Sequence, residues 1–303
     1  MVVRGLQALK VANPAQSGYS LRYPYDRGGF NEAGYSSSQE LLGDIAQIWL
    51  DTLEEELGIT PAELSVSPPR PLTRTAGRVK AKPPSDHLQG YSVILLIPDL
   101  YEHVYVREMT DLVLHMIGFK QLWLQQEAVC TTFGAGISTA CVVDIGAKKT
   151  SIACVEEGLV LAESRMALDF GGDDVTQFLH TLLLRNSFPY PEADLSEWYD
   201  FKLFDELKEK IVVLGEKDVG MGLHEFWVRK PGHKTTKFTV RVYDDAIMAP
   251  YALFAPRIVD FDRKAKPQGL LWSKEVEDIV EIGGYTEPVS SWSLRGRHFA
   301  LPR

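Results

Sequence analysis

Apolar residues recur along the chain in two rhythms, and the changes of rhythm mark its elements. Leu41, Leu42, Ile45, Ile48, Trp49 and Leu53 fall on one helical stripe with acids opposite, and Gly58 ends the helix. Residues 60–88 have no periodicity; they are rich in Pro, Ser, Thr and basic residues and read as a linker or surface excursion. Tyr91 to Ile97 is a continuous apolar run, expected to be a strand buried on both faces and stopped by Pro98. Met109, Leu112, Val113, Met116 and Ile117 form a second helical stripe ending at Gly118, and Lys120 to Leu124 reads as a strand. Strand, helix and strand at this spacing predict a right-handed βαβ unit with parallel strands. A short helix follows from Gln126 to the Gly134-Ala135-Gly136 break.

Cys141 to Ile145 and Ser151 to Val155 predict a β-hairpin, with a further strand over Leu159 to Leu168. Gly171-Gly172-Asp173-Asp174 opens a helix whose apolar face is Val175, Phe178, Leu179, Leu182 and Leu183, with an Asp to cap it. Trp198 to Leu214 is another helical stretch, and its run Glu206-Leu207-Lys208-Glu209-Lys210 reads as a wet face. His224 to Lys230 and Lys237 to Tyr243 form a hairpin joined by Pro231-Gly232-His233. Beyond Pro256 the pattern degrades. Residues 262–303 are expected to be a poorly packed tail with one short helix near Lys274 to Val280.

The bulk numbers narrow the function classes only a little. Hydrophobic content of 45% and charged content of 24% in 303 residues are those of a globular protein. A net charge of -9 disfavours direct binding of nucleic-acid phosphates and suits a basic partner. Against that trend, Arg70, Arg74, Arg78, Lys80 and Lys82 cluster in the Pro-rich stretch, as a nucleic-acid contact or a solvated loop. Cys130, Cys141 and Cys154 lack metal-ligand spacing and read as buried, reduced thiols. The first residues do not read as a signal peptide, and no apolar run is long enough to span a bilayer.

The chemistry concentrates at the tip of the first long hairpin, Asp144-Ile145-Gly146. A glycine turn brings backbone N–H groups near an anion, and an Asp can hold a metal's water shell. The same two residues also serve an ordinary turn. Gly171-Gly172 admits a ligand or a neighbouring backbone, or only makes a tight turn.

Several segments in order resemble the actin superfamily. They are Leu21-Arg22-Tyr23-Pro24 with Gly28, the Ile48-Trp49 helix, Asp144-x-Gly146, Gly172-x-Asp174-x-Thr176, Leu207-Lys208-Glu209-Lys210 and Pro250-x-Ala252-Leu253-Phe254-x-Pro256. The Pro-rich stretch, Leu96-Ile97-Pro98-Asp99-Leu100-Tyr101 and Gln126-Glu127-Ala128-Val129-Cys130 resemble its eighth nuclear class of actin-related proteins. The resemblance implies an α/β, actin-like fold (ribonuclease H-like, heat-shock ATPase-like), incomplete at both ends. Within it, 1–132 is a partial first lobe with an insert at 60–88, and 133–170 starts the second lobe with its phosphate-loop hairpin. Residues 171–257 are the nucleoside-side helical subdomain, and 258–303 a degenerate tail.

The resemblance also implies a nuclear location and a subunit role in ATP-dependent chromatin-remodelling complexes, beside nuclear actin, histones and nucleosomes. Carried over residue by residue, Asp144 and Gly146 are the second phosphate loop, with Asp144 the metal-side acid acting through water. Gly172 lies under the nucleoside, and Lys208 and Glu209 contact adenine and ribose. The loop departs from the family pattern at Ala147 and Lys148, where a further Asp and Gly stand in actin. Lys148 or Lys149 is then a phosphate cation or, as we read it, a solvated turn lysine. Glu127 occupies the position of the water-orienting Gln, where its charge repels a γ-phosphate; a one-residue slip placing Gln126 there rotates the side chain by about 100° on a helix. A first phosphate loop and a Gly-rich adenine-closing segment are not found, and Ile282-Gly283-Gly284-Tyr285-Thr286 is read as coincidence. The expectation is a non-catalytic scaffold with at most weak ATP binding, and Mg only with ATP. The alternative is a divergent actin-like ATPase whose missing loops lie outside this chain. A sugar-kinase relative would need a placed catalytic Asp, and none is found.

Overall fold

The computed structural model describes residues 5–9, 11, 18–59, 90–215, 217, 219–230, 233–260, 264 and 271–272. The Pro-rich stretch with its basic cluster, the Pro231-Gly232 pair, the helix expected near Lys274 and the Gly283-Gly284 turn lie outside the described residues.

The first described hairpin pairs β1 (Tyr25–Asp26) with β2 (Gly29–Phe30). Its turn residues Arg27 and Gly28 both have positive φ, 50° and 79°, the mirror-image turn that suits a two-residue connection. Helix α1 (Ser38–Leu57) starts where the Ser37 hydroxyl accepts the Glu40 N–H at 3.2 Å, and it ends at left-handed Gly58. Its stripe of Leu41, Leu42, Ile45 and Ala46 is buried against Leu112, Val113, Ile117 and Phe119. Those partners lie on or just after α2 (His103–Asp111) and the π-helical turn Leu112–Ile117 that continues it to left-handed Gly118.

β3 (Ser92–Ile97) and β4 (Gln121–Gln126) flank that helix and pair in parallel, from Ser92↔Gln121 to Ile97↔Gln126. The βαβ unit is therefore present. β3 is not buried on both faces, however. Val93 and Leu122 pack on the α1–α2 core, whereas Ile94, Leu96 and Trp123 on the other face are 70%, 50% and 67% exposed. An unbroken apolar run cannot reveal that only one face is covered among the described residues.

Helix α3 (Glu127–Ala135) follows β4 directly and is closed by Gly136. It packs on the hairpin of β5 (Ala140–Ile145) and β6 (Thr150–Glu156) through Ala128, Val129, Val142, Ala153 and Val155. The strand expected over 159–168 is two pieces, β7 (Leu159–Val160) and β8 (Met166–Leu168), both antiparallel to β6. They share one edge of β6, and between them Ser164 Oγ accepts the Cys154 N–H at 2.8 Å.

The largest core joins α4 (Gly172–Arg185), α5 (Trp198–Ile211) and the hairpin of β9 (Gly222–Val228) and β10 (Thr236–Val242). Leu179, Leu183, Phe204, Leu207 and Phe226 are almost fully buried there, and Phe188 stacks on Phe226 at 5.1 Å. Beneath it the Asp200 carboxylate, 1% exposed, is held by Lys230 Nζ at 2.9 Å and the Asp194 N–H at 2.9 Å, so this buried charge is paired and hydrogen-bonded. The described part of the tail is not loose. Lys264 pairs with Asp174, and the Trp272 ring stacks on Phe30 at 5.1 Å.

Phe204→Ala is expected to lower unfolding stability by about 3–5 kcal/mol in urea titration, because it empties a site walled by His180 and Phe188. A second expectation concerns the segment leading into α1, tied to it by the Arg22–Glu40 ion pair. The Arg22 guanidinium, then Ser36, hold the Glu40 carboxyl at about 2 against an ordinary 4.5. A depressed carboxylate stabilises the fold above its unfolded value and loses that contribution as pH falls through its folded value. Carboxyl-detected NMR should therefore show the tie intact at neutral pH and lost between about 4.5 and about 2, and Arg22→Ala should move the Glu40 midpoint upward.

Candidate functional site

The β5–β6 tip sits on the start of α4. The Gly146 carbonyl accepts the Gly172 N–H at 2.9 Å, and the Ala147 carbonyl accepts the Asp173 N–H at 2.8 Å. Helix starts carry unsatisfied N–H groups, and two of them are spent here on a loop of the same chain. The approach requires Gly171: a Cβ built there would lie 2.3 Å from the Gly146 oxygen and 2.7 Å from the Ala147 oxygen. Its backbone is extended, at φ -170°, so close approach rather than a left-handed conformation demands the glycine. Of the options open for Gly171-Gly172, the neighbouring backbone accounts for the first glycine. Asp174 caps the helix by accepting the Gly171 N–H at 2.8 Å.

Lys208 reaches the same corner from α5. Its ammonium donates to Thr176 Oγ1 at 2.9 Å and the Gly172 carbonyl at 3.2 Å, and it pairs with Asp205. The charged run around it is thus only partly a wet face. Leu207 is core and Lys208 is anchored, while Glu206, Glu209 and Lys210 are exposed. Asp173 lies half-buried beside this group; burial pushes its carboxyl up, and Lys148 and Lys208 pull it back down.

The structure therefore brings Gly146, Gly172 and Lys208 together. Asp144 and Glu209 stand apart as exposed carboxylates, one on the last turn-ward residues of β5 and the other on the open side of α5. No group of three or more His, Cys, Asp or Glu that could hold a metal ion occurs among the described residues.

Glu127 opens α3, where a carboxylate is favoured by the helix dipole. Its Oε2 lies 3.4 Å from Lys149 Nζ, in a pair only 18% and 28% exposed. Lys149 is thus not a solvated turn lysine. Its ammonium lies against Gly28, where a built Cβ would come within 2.8 Å. Lys148 is more open; it pairs with Asp26 at 3.4 Å and lies 5.8 Å over the Tyr23 ring. Arg27 reaches Asp169 at 3.4 Å, so the β1–β2 turn is held to the β5–β6 region by charge on several sides. Gln126 is not displaced into the Glu127 position. It ends β4, and its amide donates to the Asp99 carbonyl at 3.4 Å.

Sequence reasoning missed three contributors. Thr176, fully buried, receives Lys208; its only signal was its place in Gly-x-Asp-x-Thr. Asp99, 4% exposed, accepts the Ala128 N–H at 3.1 Å and so caps α3 from the end of β3; burial raises its carboxyl. The Lys149–Glu127 pair joins positions 22 apart in sequence, and no local pattern reports it.

The chain is similar in sequence and in fold to known proteins. The sequence model of the actin family matches residues 40–215. Probable actin-related protein 8 of Schizosaccharomyces pombe is 37% identical over 276 residues, which is 91% of this chain and 38% of that protein. Actin-related protein 8 of Salmo salar is 36% identical over 254 residues, 83% of this chain and 36% of that protein. A solved structure, human actin-related protein Arp8 in its ATP-bound state, has a TM-score of 0.72 and 33% identity; it covers 84% of this chain and 46% of that one. The chain spans less than two fifths of the length of these two curated relatives.

Gly171→Ala should detach the loop from α4. The expected loss is at least the ~1–3 kcal/mol of overpacking, read as a lower urea midpoint together with faster amide exchange at Gly172 and Asp173. Gly134→Ala, which meets nothing within 4 Å, should show neither change.

Proposed function

Because the chain belongs to the actin family, we propose that it is a non-catalytic, actin-like scaffold subunit of a nuclear chromatin-remodelling assembly, associating with actin and with histones or nucleosomes. The likeness to actin-related protein 8 over 83% to 91% of the chain supports the scaffold role. The acidic balance of -9 suits basic histone surfaces better than bare DNA.

The observation that carries the non-catalytic reading is the Glu127–Lys149 pair. Water activation against a γ-phosphate needs a neutral or accepting group free to orient the water. Here that position holds a carboxylate already committed to an ammonium. Ala147 and Lys148 stand where the resemblance expects an acid and a glycine, which further weakens alignment for in-line attack.

The residues fit a nucleotide in part. Lys208 beside Gly172 and the exposed Glu209 provide a cation and an acceptor for the nucleoside side, and exposed Asp144 provides an acid for the water shell of a phosphate-bound Mg. Gly146, Gly172 and Lys208 would hold the nucleotide, which would then add cohesion between the β5–β6 loop and the helices α4 and α5. The ATP-bound state named for the human relative favours a second reading, a divergent ATPase completed by loops outside this chain.

Calorimetric titration with ATP and Mg, paired with a phosphate-release assay, separates the two. The expected result is weak binding, further weakened by Asp144→Ala, and release at the background rate. Tight binding with turnover that Asp144→Ala abolishes would overturn the scaffold reading. A tagged chain should also retain actin and histones from nuclear extract.

A further inference from the structure

Cys141 and Cys154 are not the buried thiols that the sequence suggests. Cys141 is exposed and Cys154 half-exposed, and they lie directly opposite each other on β5 and β6. Opposed residues in an antiparallel pair alternate between a hydrogen-bonded and a non-hydrogen-bonded class. The Gly146 N–H donates to the Lys149 carbonyl at 2.9 Å and sets the phase. Counting back from that pair through Ile145↔Thr150 places Cys141↔Cys154 in the non-hydrogen-bonded class. The backbone of Cys154 agrees independently. Its N–H donates to Ser164 Oγ at 2.8 Å and its carbonyl accepts the Leu161 N–H at 2.9 Å, so both groups point away from β5.

In that class the opposed Cα atoms are about 4.5 Å apart and the side chains lean together, within the roughly 4.4–6.8 Å that a disulfide spans. The neighbouring Cys154 thiol is the first cause of the upward shift of the Cys141 thiol, so the attacking thiolate is its minor form and the exchange quickens as pH rises. They share the face that also carries Val143, 55% exposed, while Val142 and Ala153 of the opposite face are buried against α3.

We propose that Cys141 and Cys154 form a vicinal dithiol site that takes low-molecular-weight disulfides such as oxidised glutathione and closes to a cross-strand disulfide. The Cys141 thiolate attacks one glutathione sulfur, forming a mixed disulfide and releasing one glutathione thiolate. Cys154, losing its proton, then displaces the second glutathione as the Cys141–Cys154 bond forms. Two protein thiols are oxidised, one glutathione disulfide is reduced to two thiols, and no other reagent enters. The bond would fasten the two strands three residues before Asp144, at the base of the loop that docks on α4. The site does not depend on nucleotide binding.

The test incubates the folded chain in glutathione buffers of increasing oxidised fraction, quenches with acid, alkylates and maps the peptides. The expected product is a peptide pair joined through Cys141 and Cys154, with Cys130 alkylated throughout. In Cys154→Ser, Cys141 should stop at the glutathione mixed disulfide. Amide exchange across β5 and β6 should slow in the oxidised wild type. The proposal is overturned if both thiols stay alkylable in fully oxidised buffer, if only mixed disulfides accumulate, or if the bond appears in urea but not in the folded chain.

Discussion

Two carbonyl oxygens of a hairpin tip, resting on two N–H groups at a helix start, hold the centre of this molecule together. That contact, Gly146 and Ala147 against Gly172 and Asp173, is geometrically possible only where no Cβ intervenes at position 171. It joins the small β5–β6 sheet to α4, the first helix of the largest core. Lys208 then binds the Gly172 carbonyl from below. A helix start, a loop and a lysine from a second helix thus satisfy one another, which leaves few buried polar groups without partners.

The opposite edge of the tip is governed by charge instead of backbone hydrogen bonds. Lys148 and Lys149 extend toward the β1–β2 turn and toward α3, and each finds a carboxylate there. The Lys149–Glu127 pair is partly screened from water, whereas Lys148 is 52% exposed and its pair with Asp26 counts as an ordinary surface contact. The tip is therefore tied on one side by rigid geometry and on the other by ion pairs that can rearrange. The asymmetry follows the residues themselves: the Gly172–Lys208 corner is closed by hydrogen bonds, whereas Ala147 and Lys148 depart from the actin pattern and are exposed.

Much of this was legible in the residues. The stripes of α1, α2, α4 and α5, the glycine stops at Gly58, Gly118 and Gly136, the parallel pairing of β3 with β4 and both long hairpins follow from periodicity and punctuation. The resemblance assigned Gly146 and Gly172 to one nucleotide site, but not the backbone hydrogen bond that joins them. What was not legible shares one property, dependence on which neighbour covers a surface. Ile94 and Leu96 read as buried because apolar runs usually are, and Cys141 read as buried for the same reason. Lys149 read as solvated because turn lysines usually are. The break at Ala162–Ser164 depends on two short strands sharing one edge of β6, which no local preference encodes.

The pair formed by Glu127 and Lys149 has an evolutionary consequence. A change of Glu127 back to a neutral amide would leave the Lys149 ammonium half-buried against Gly28 without its carboxylate. A change of Lys149 alone would strand the acid at the head of α3. Each single step removes one half of a charge balance that the double step restores, so a substitution at one position changes which residues are tolerated at the other.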